Sequence, residues 1–293
     1  MTRIVTLLPA ATEIVCALGL RGQLVGRAHE CDHPATVEWL PVLTRARVDS
    51  SLSSAALDAA VRGVRARRLP LYELDADRLA ALRPDVVITQ AACEVCAVSF
   101  EQVDATLRQA ALPARVVSLS PARLRDVIED VREVAEACGA GSRGRALAGA
   151  LDGRLLAVRS AHPLSRPRVV VVEWLEPLML AGHWVPDAVE AAGAVYVGPA
   201  AGQASPYVSW TELRALAPDI VVVAPCGFDL ARTVHESMSH RAWLASLAPR
   251  VVLMDGNAYW NRPGPRLVDA VEILHDVLAG RAVPASQAAP LLA

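Results

Sequence analysis

Leu82-Arg-Pro-Asp-Val-Val-Ile-Thr-Gln90 leads directly into Ala91-Ala-Cys-Glu-Val-Cys-Ala-Val-Ser99, and its opening returns late in the chain as Leu216-Ala-Pro-Asp-Ile-Val-Val-Val-Ala-Pro-Cys226. Both copies read Leu-x-Pro-Asp, then a β-branched run, then a cysteine-bearing loop. The proline ends a preceding helix, because it has no N–H to donate and restricts the residue before it. A short β-branched run after such a stop predicts a strand buried on both faces, as in parallel sheets. A strand that recurs with the same lead-in predicts two similar halves, and it points to the loops after the strands as the place to look for a site.

Working outward, strands and helices alternate. Arg3–Leu8 reads as a strand and Pro9–Leu18 as a helix with proline in its first turn, where the missing N–H is harmless. Leu24–Ala28, Tyr72–Leu74, Asp85–Gln90 and Arg115–Leu119 read as further extended segments. Helices are predicted over Ser54–Arg68, from the Asp75 cap to Arg83, from the capping box Ser99-x-x-Gln102, and from Ser120-Pro121 to Cys138. The second half restarts with strands Arg168–Glu173, Asp219–Ala224 and Arg250–Met254. Its helices are Pro186–Ala192, one opened by the capping box Ser209-Trp-Thr-Glu212, Leu230–Met238, and a last one ending at Leu278. The Ala/Pro-rich stretch after Gly280 reads as a loose tail.

Between the halves, Ser142–Ala161 carries Leu147, Leu151, Leu155 and Val158 at helical spacing. A helix of about 20 residues spans about 30 Å, enough for a rigid strut. The expected division is an N-terminal α/β lobe over 1–140, a linker helix over 141–166, and a C-terminal α/β lobe over 167–293. The expected fold class is α/β, with two Rossmann-like lobes, each with a parallel sheet, joined by one long helix. Ligands of such sheets sit beyond the carboxyl ends of the strands, so a cleft between the lobes is the expected site.

Composition narrows the function. The 293 residues are 53% hydrophobic with a mean hydropathy of +0.32, ample for packed cores. The formal net charge is −2, all basic side chains except histidine are arginine, and charges of both signs are mixed, so nucleic acid is not an expected partner. No long uninterrupted apolar run predicts a membrane span, and a monomer is expected. Ile4–Leu20 is interrupted by Pro9, Thr12 and Glu13 and lacks a cleavage site, so it does not read as a signal peptide. The chain as it stands is therefore expected in the cytoplasm, or in the periplasm or outside the cell if a leader has been removed. No G-x-S-x-G or P-loop is present, which leaves little support for hydrolysis or P-loop nucleotide chemistry.

Of six cysteines, Cys16 and Cys138 fall in helices and read as small core residues, while Cys31, Cys93, Cys96 and Cys226 follow strands. For these four, three readings stay open: ligands of a metal or Fe–S cluster, redox-active thiols, or thiols lining a pocket. One C-x-x-C does not complete a zinc ribbon, and Cys93 lies ahead of the Ser99 cap rather than at a helix start. His29-Glu30-Cys31-Asp32-His33-Pro34 is either turn chemistry or a binding loop, with His29, directly after a strand, offering a neutral imidazole. Trp174, Trp184, Tyr207, Phe228, Tyr259 and Trp260 crowd the loops of the second half beside Glu173, His183, Asp229, Asn257 and Arg262. They are either core or the apolar walls that hold a large flat ligand.

Several of these segments together resemble the substrate-binding proteins of vitamin B12 and iron-siderophore ABC importers, most closely the cobalamin-binding branch. They are Arg3-Ile-Val-Thr-Leu-Leu-Pro-Ala-Ala-Thr-Glu-Ile-Val-Cys-Ala-Leu-Gly19, Leu24-Val-Gly26 with Asp32-x-Pro34, the two Leu-x-Pro-Asp strands, and Arg262-Pro-x-Pro-Arg-Leu267. The resemblance implies a non-enzymatic protein that binds cobalamin or a related corrinoid of tetrapyrrole size, with an ABC permease as partner. It implies that His29–His33, Trp174 and Tyr259 or Trp260 border the ligand. With Gln90, Cys93, His183, Trp184, Cys226 and Phe228 these make the candidate ligand set; Glu101 and Glu212 fall near the acidic residues that dock to the permease. The four loop cysteines lie outside the usual importer pattern and keep a metal, Fe–S or redox protein on the same scaffold as the alternative. A chelatase-like enzyme is a third reading, on fold analogy alone.

Overall fold

The computed structural model describes residues 1–90, 98–161 and 165–291. It forms two compact units: unit 1 holds Met1–Leu52, Ala59–Pro121 and Arg125–Ala150, and unit 2 holds Ser53–Asp58, Ala122–Leu124 and Leu151–Ala293. In chain order the first elements are β1 (Ile4–Thr6), α1 (Pro9–Ala17), β2 (Leu24–Arg27), β3 (Thr44–Ala46), α2 (Ser54–Ala66), β4 (Tyr72–Leu74) and α3 (Ala76–Leu82). They continue with β5 (Val86–Gln90), α4 (Phe100–Gln109), β6 (Arg115–Leu119), α5 (Leu124–Ala137) and α6 (Gly141–Ser160). Unit 1 is built on a parallel sheet in the order β2-β1-β5-β6, with β3 and β4 pairing antiparallel beside it.

The second unit adds β7 (Arg168–Trp174), β8 (Met179–Leu180), α7 (Val185–Ala191), β9 (Val195–Tyr196), α8 (Trp210–Ala215) and β10 (Ile220–Val223). It ends with α9 (Leu230–Ser239), α10 (Arg241–Leu247), β11 (Arg250–Met254), α11 (Arg266–Leu278) and β12 (Ala288–Pro290). Its sheet runs β12-β11-β10-β7-β8, with β7, β10 and β11 parallel and β9 alongside β7. Val169–Val172 and Val221–Val223 are fully buried, as expected of strands covered on both faces. Each such valine contributes roughly 1.5–3 kcal/mol of burial.

The repeated Leu-x-Pro-Asp motif has one physical cause in both units. Asp85 Oδ2 accepts the backbone N–H of Arg3 at 2.7 Å, and Asp219 Oδ2 accepts that of Arg168 at the same distance. Each aspartate thus ties its strand to the start of the first strand of its sheet. The arginines reciprocate: Arg3 Nε donates to Leu82 O at 2.8 Å, and Arg168 donates to Ala217 O and Leu216 O at 3.0 and 2.6 Å. The residue before each proline, Arg83 or Ala217, turns the chain in the left-handed region, with φ of 43° and 45°.

The twenty-residue helix α6 carries the chain from unit 1 into unit 2. Each unit holds its own end: Arg143 donates to Leu18 O at 3.3 Å, and Arg154 makes ion pairs with Asp269 and Glu272 at 2.6 and 2.5 Å.

Two expectations are corrected. The tail after Gly280 is not loose throughout: Ala288–Pro290 pairs antiparallel with β11 as an edge strand, where a proline is tolerated. The helix expected from Ser120-Pro121 begins instead at Leu124, whose N–H is accepted by Asp187 Oδ2 at 3.1 Å while Arg123 forms a two-pronged pair with the same carboxylate. The first turn of α2 groups with unit 2. There Ser54 N–H and Oγ donate to Glu236 at 3.3 and 3.1 Å, and Tyr207 donates to Asp58 at 3.0 Å.

One buried charge gives the fold a pH signature. Asp130 on α5 is 7% exposed and its Oδ2 accepts no hydrogen bond among the described residues. Burial, then the nearby Glu133 and Asp126, push its carboxyl up to about 7. The folded chain keeps a proton that the unfolded chain releases in the ordinary carboxylate range, so this group's contribution is fullest in acid and is lost as pH rises toward 7. Asp130→Asn is expected to be more stable than the parent at pH 8 by roughly 2–4 kcal/mol, and the gap is expected to close in acid. Urea denaturation of both proteins across this range checks it.

Candidate functional site

In unit 1 the site begins with Arg27, the last residue of β2. It is 9% exposed, and its guanidinium turns back to donate to Ala28 O, His29 O and Glu38 O at 3.1, 3.3 and 2.9 Å. The loop after β2 is therefore wrapped around a buried cation. His29, the loop's entry, is half-buried, and Thr44 at the start of β3 holds it twice. The threonine hydroxyl accepts the His29 N–H at 3.0 Å and bonds ring Nδ1 at 2.7 Å. Burial, then the charge of Arg27, lower the imidazole below the usual histidine range, so it is neutral at pH 7. Ring Nε2 has no hydrogen-bond partner among the described residues.

Tyr72 completes this corner. Its ring lies 5.4 Å from that of His29, and its hydroxyl donates to Glu30 Oε1 at 3.0 Å. Gln90, half-buried, ends β5 of the same sheet; Asp32 and His33 are exposed. Cys31 is fully buried, with the Thr12 hydroxyl donating to its Sγ at 3.0 Å. Arg27, Thr44 and Tyr72 are not among the residues expected at the site. A buried arginine at a strand end was the one legible signal, since it has to find acceptors in the loop that follows.

In unit 2 the aromatics sort into two sets. Trp174, Phe228 and Trp260 are 8%, 1% and 0% exposed and are core side chains. Trp174 packs on Phe228 at 5.1 Å and donates to Ser54 O and Glu176 O, while Arg232 lies 3.6 Å over the Phe228 ring. His183, Trp184 and Tyr259 are part-exposed. Trp184 donates to Trp260 O at 2.9 Å, His183 lies 5.7 Å from its ring, and Arg266 lies 5.8 Å from Tyr259. His183 has φ of 51°, and burial lowers its ring below the usual histidine range. Tyr207 is exposed. Cys226 is half-buried after β10, its N–H donating to Glu173 O at 3.0 Å. A hollow beside Asp229, Asp255 and Ser286 offers less, because both aspartates are occupied as caps, accepting from Arg232 N–H and Ala258 N–H.

Cys93 and Cys96 lie outside the described residues. Cys31 belongs to unit 1 and Cys226 to unit 2, and among the described residues no three His, Cys, Asp or Glu side chains form a group able to hold a metal. Glu101 and Glu212 are both exposed in the first turns of α4 and α8. The Glu212 carboxylate closes the capping box by accepting from Ser209 N–H and Oγ at 2.7 and 2.8 Å, which lowers it below the usual range. No helix among the described residues is long and apolar enough to cross a membrane.

Two α/β units on largely parallel sheets, joined by one long helix, carry polar and aromatic side chains at their strand ends. The family model described as periplasmic binding protein matches residues 4–250, and the chain belongs to that family, the substrate-binding proteins of ABC importers. No curated protein sequence matches the chain. Among solved structures it is similar to a periplasmic heme-binding protein from Pseudomonas aeruginosa, at 23% identity and TM-score 0.71, covering 99% of this chain and 97% of that one. The apo heme-binding protein RhuT from Roseiflexus sp. RS-1 gives 23%, 0.67, 94% and 96%. The vitamin B12 binding protein BtuF of Vibrio cholerae gives 20%, 0.67, 96% and 98%. At these identities the likeness is one of fold.

Proposed function

We propose that the chain is the binding component of an importer for a metal-bearing tetrapyrrole, and specifically for cobalamin or a related corrinoid. The observation that carries this reading is His29. A neutral imidazole with Nδ1 fixed by a hydroxyl and Nε2 open is arranged as a metal-ligating histidine is, with its second partner already in place. In unit 1, Tyr72 and Gln90 supply the apolar face and polar edge that a large flat ligand needs. The resemblance of the sequence to the cobalamin branch supports a corrinoid. Haem would meet the same imidazole and is the second reading. In unit 2, His183, Trp184 and Tyr259 are the part-exposed candidates. Of these, Trp184 is held by the Trp260 carbonyl, while Trp174 and Phe228 are core.

Tryptophan fluorescence during parallel titrations with cobalamin and with haemin tests the proposal. Saturable quenching by cobalamin at micromolar concentration, stronger than by haemin, is expected. Quenching by haemin alone would remove the corrinoid assignment and leave the tetrapyrrole reading; quenching by neither would remove both.

A further inference from the structure

The carboxyl end of α2 carries an unbalanced charge. From Ala59 to Leu74 there are four arginines, Arg62, Arg65, Arg67 and Arg68, against one glutamate, in a chain of net charge −2. That glutamate, Glu73, is occupied by Arg45 and Arg47 from β3 and its flank. All four arginines are exposed, and Arg65, Arg67 and Arg68 make no side-chain hydrogen bond or ion pair among the described residues.

The backbone there departs from what local stability favours. Leu69 N–H bonds Val64 O and Arg68 N–H bonds Arg65 O, the paired bonds that close a helix end. In this closure the left-handed position suits glycine, yet Arg68 occupies it with φ of 56°. The next residue ordinarily packs back on the helix, yet Leu69 is 44% exposed. A cation here complements the negative end of the helix, but neither the left-handed backbone of a non-glycine residue nor the outward leucine serves it. Such departures from local consistency mark functional positions.

We propose that this end of α2 is a docking surface for an anionic phospholipid bilayer, with the guanidinium groups on the headgroup phosphates and Leu69 entering the boundary layer. Charge complementarity selects an anionic partner, and the exposed leucine among the arginines selects a surface with an apolar interior. No aromatic lies between Ala59 and Leu71 to stack on nucleic-acid bases.

Co-sedimentation of the full chain with vesicles tests this, using phosphatidylcholine alone and phosphatidylcholine mixed with phosphatidylglycerol. Binding to the mixed vesicles only, weakening with salt, is expected. Arg68→Gly is expected to weaken it roughly 5-fold, and Arg65→Ala, Arg67→Ala and Arg68→Gly together on the order of 100-fold. Arg68→Gly should at the same time hold or raise the melting temperature, which a purely structural role of the arginine would not give. Leu69→Ser should weaken binding further at constant charge. Equal binding to neutral vesicles, an unaffected triple variant, or mixed-vesicle binding as tight with Leu69→Ser as with the parent would overturn the proposal.

Discussion

Gly256→Ala is expected to destabilise the protein by about 3 kcal/mol, seen as a lower midpoint in urea. A Cβ at Gly256 would lie 2.1 Å from Pro225 O and 2.7 Å from Ala224 C, and both are backbone atoms that cannot rotate away. The loops after β10 and β11 cross at this point. Asn257 N–H donates to Phe228 O at 2.9 Å, and Asn261 Nδ2 donates to Ala224 O and Gly256 O at 3.1 and 3.0 Å. Pushing them apart breaks these bonds and shifts Tyr259, so loss of stability and displacement of that side chain arise together. Gly63→Ala is the matched control. Gly63 is exposed inside α2, and a Cβ added there would meet nothing within 4 Å, so alanine should stabilise by about 0.5–1 kcal/mol.

His29→Ala is expected to weaken corrinoid binding on the order of 100-fold while leaving the melting temperature nearly unchanged. The side chain is only half-buried, and its one hydrogen bond, to Thr44, is with a hydroxyl that also accepts the His29 backbone N–H and so keeps a partner. Thr44→Val keeps the shape and removes the hydroxyl that orients the ring, and should cost roughly 10-fold. The pH dependence follows in sign from the lowered imidazole. Binding is level around neutrality, where Nε2 is free of a second proton, and it falls once acid protonates the ring below the usual histidine range.

Much of this fold could be read from the chain because its signals are local. Leu-x-Pro-Asp recurs because the same aspartate-to-N–H tie and the same arginine clasp start the neighbouring strand in each unit. The Ser209 capping box and the Asp75 cap form as their spacing predicts. What escaped reading is non-local. Ala288–Pro290 becomes a strand only because β11 offers it an edge, and α5 starts late because Asp187, 63 residues further on, caps Leu124.

The candidate site was legible in residue type more than in exposure. Loop aromatics have no periodicity, so nothing in the sequence separates Phe228 and Trp260, which are core, from Trp184 and Tyr259, which reach the surface. His29 was legible from its place after a strand. The groups that give it meaning, Thr44, Tyr72 and the buried Arg27, come from other strands and from the turn of the loop itself.

A visible-absorption titration of the purified chain with aquocobalamin, run beside His29→Ala, tests directly whether His29 ligates the corrinoid metal. The expected result is a saturable shift of the corrin bands at one ligand per chain as Nε2 replaces the axial water, absent in the variant. Unchanged bands with the parent protein at micromolar ligand, or the same shift with His29→Ala, would contradict it.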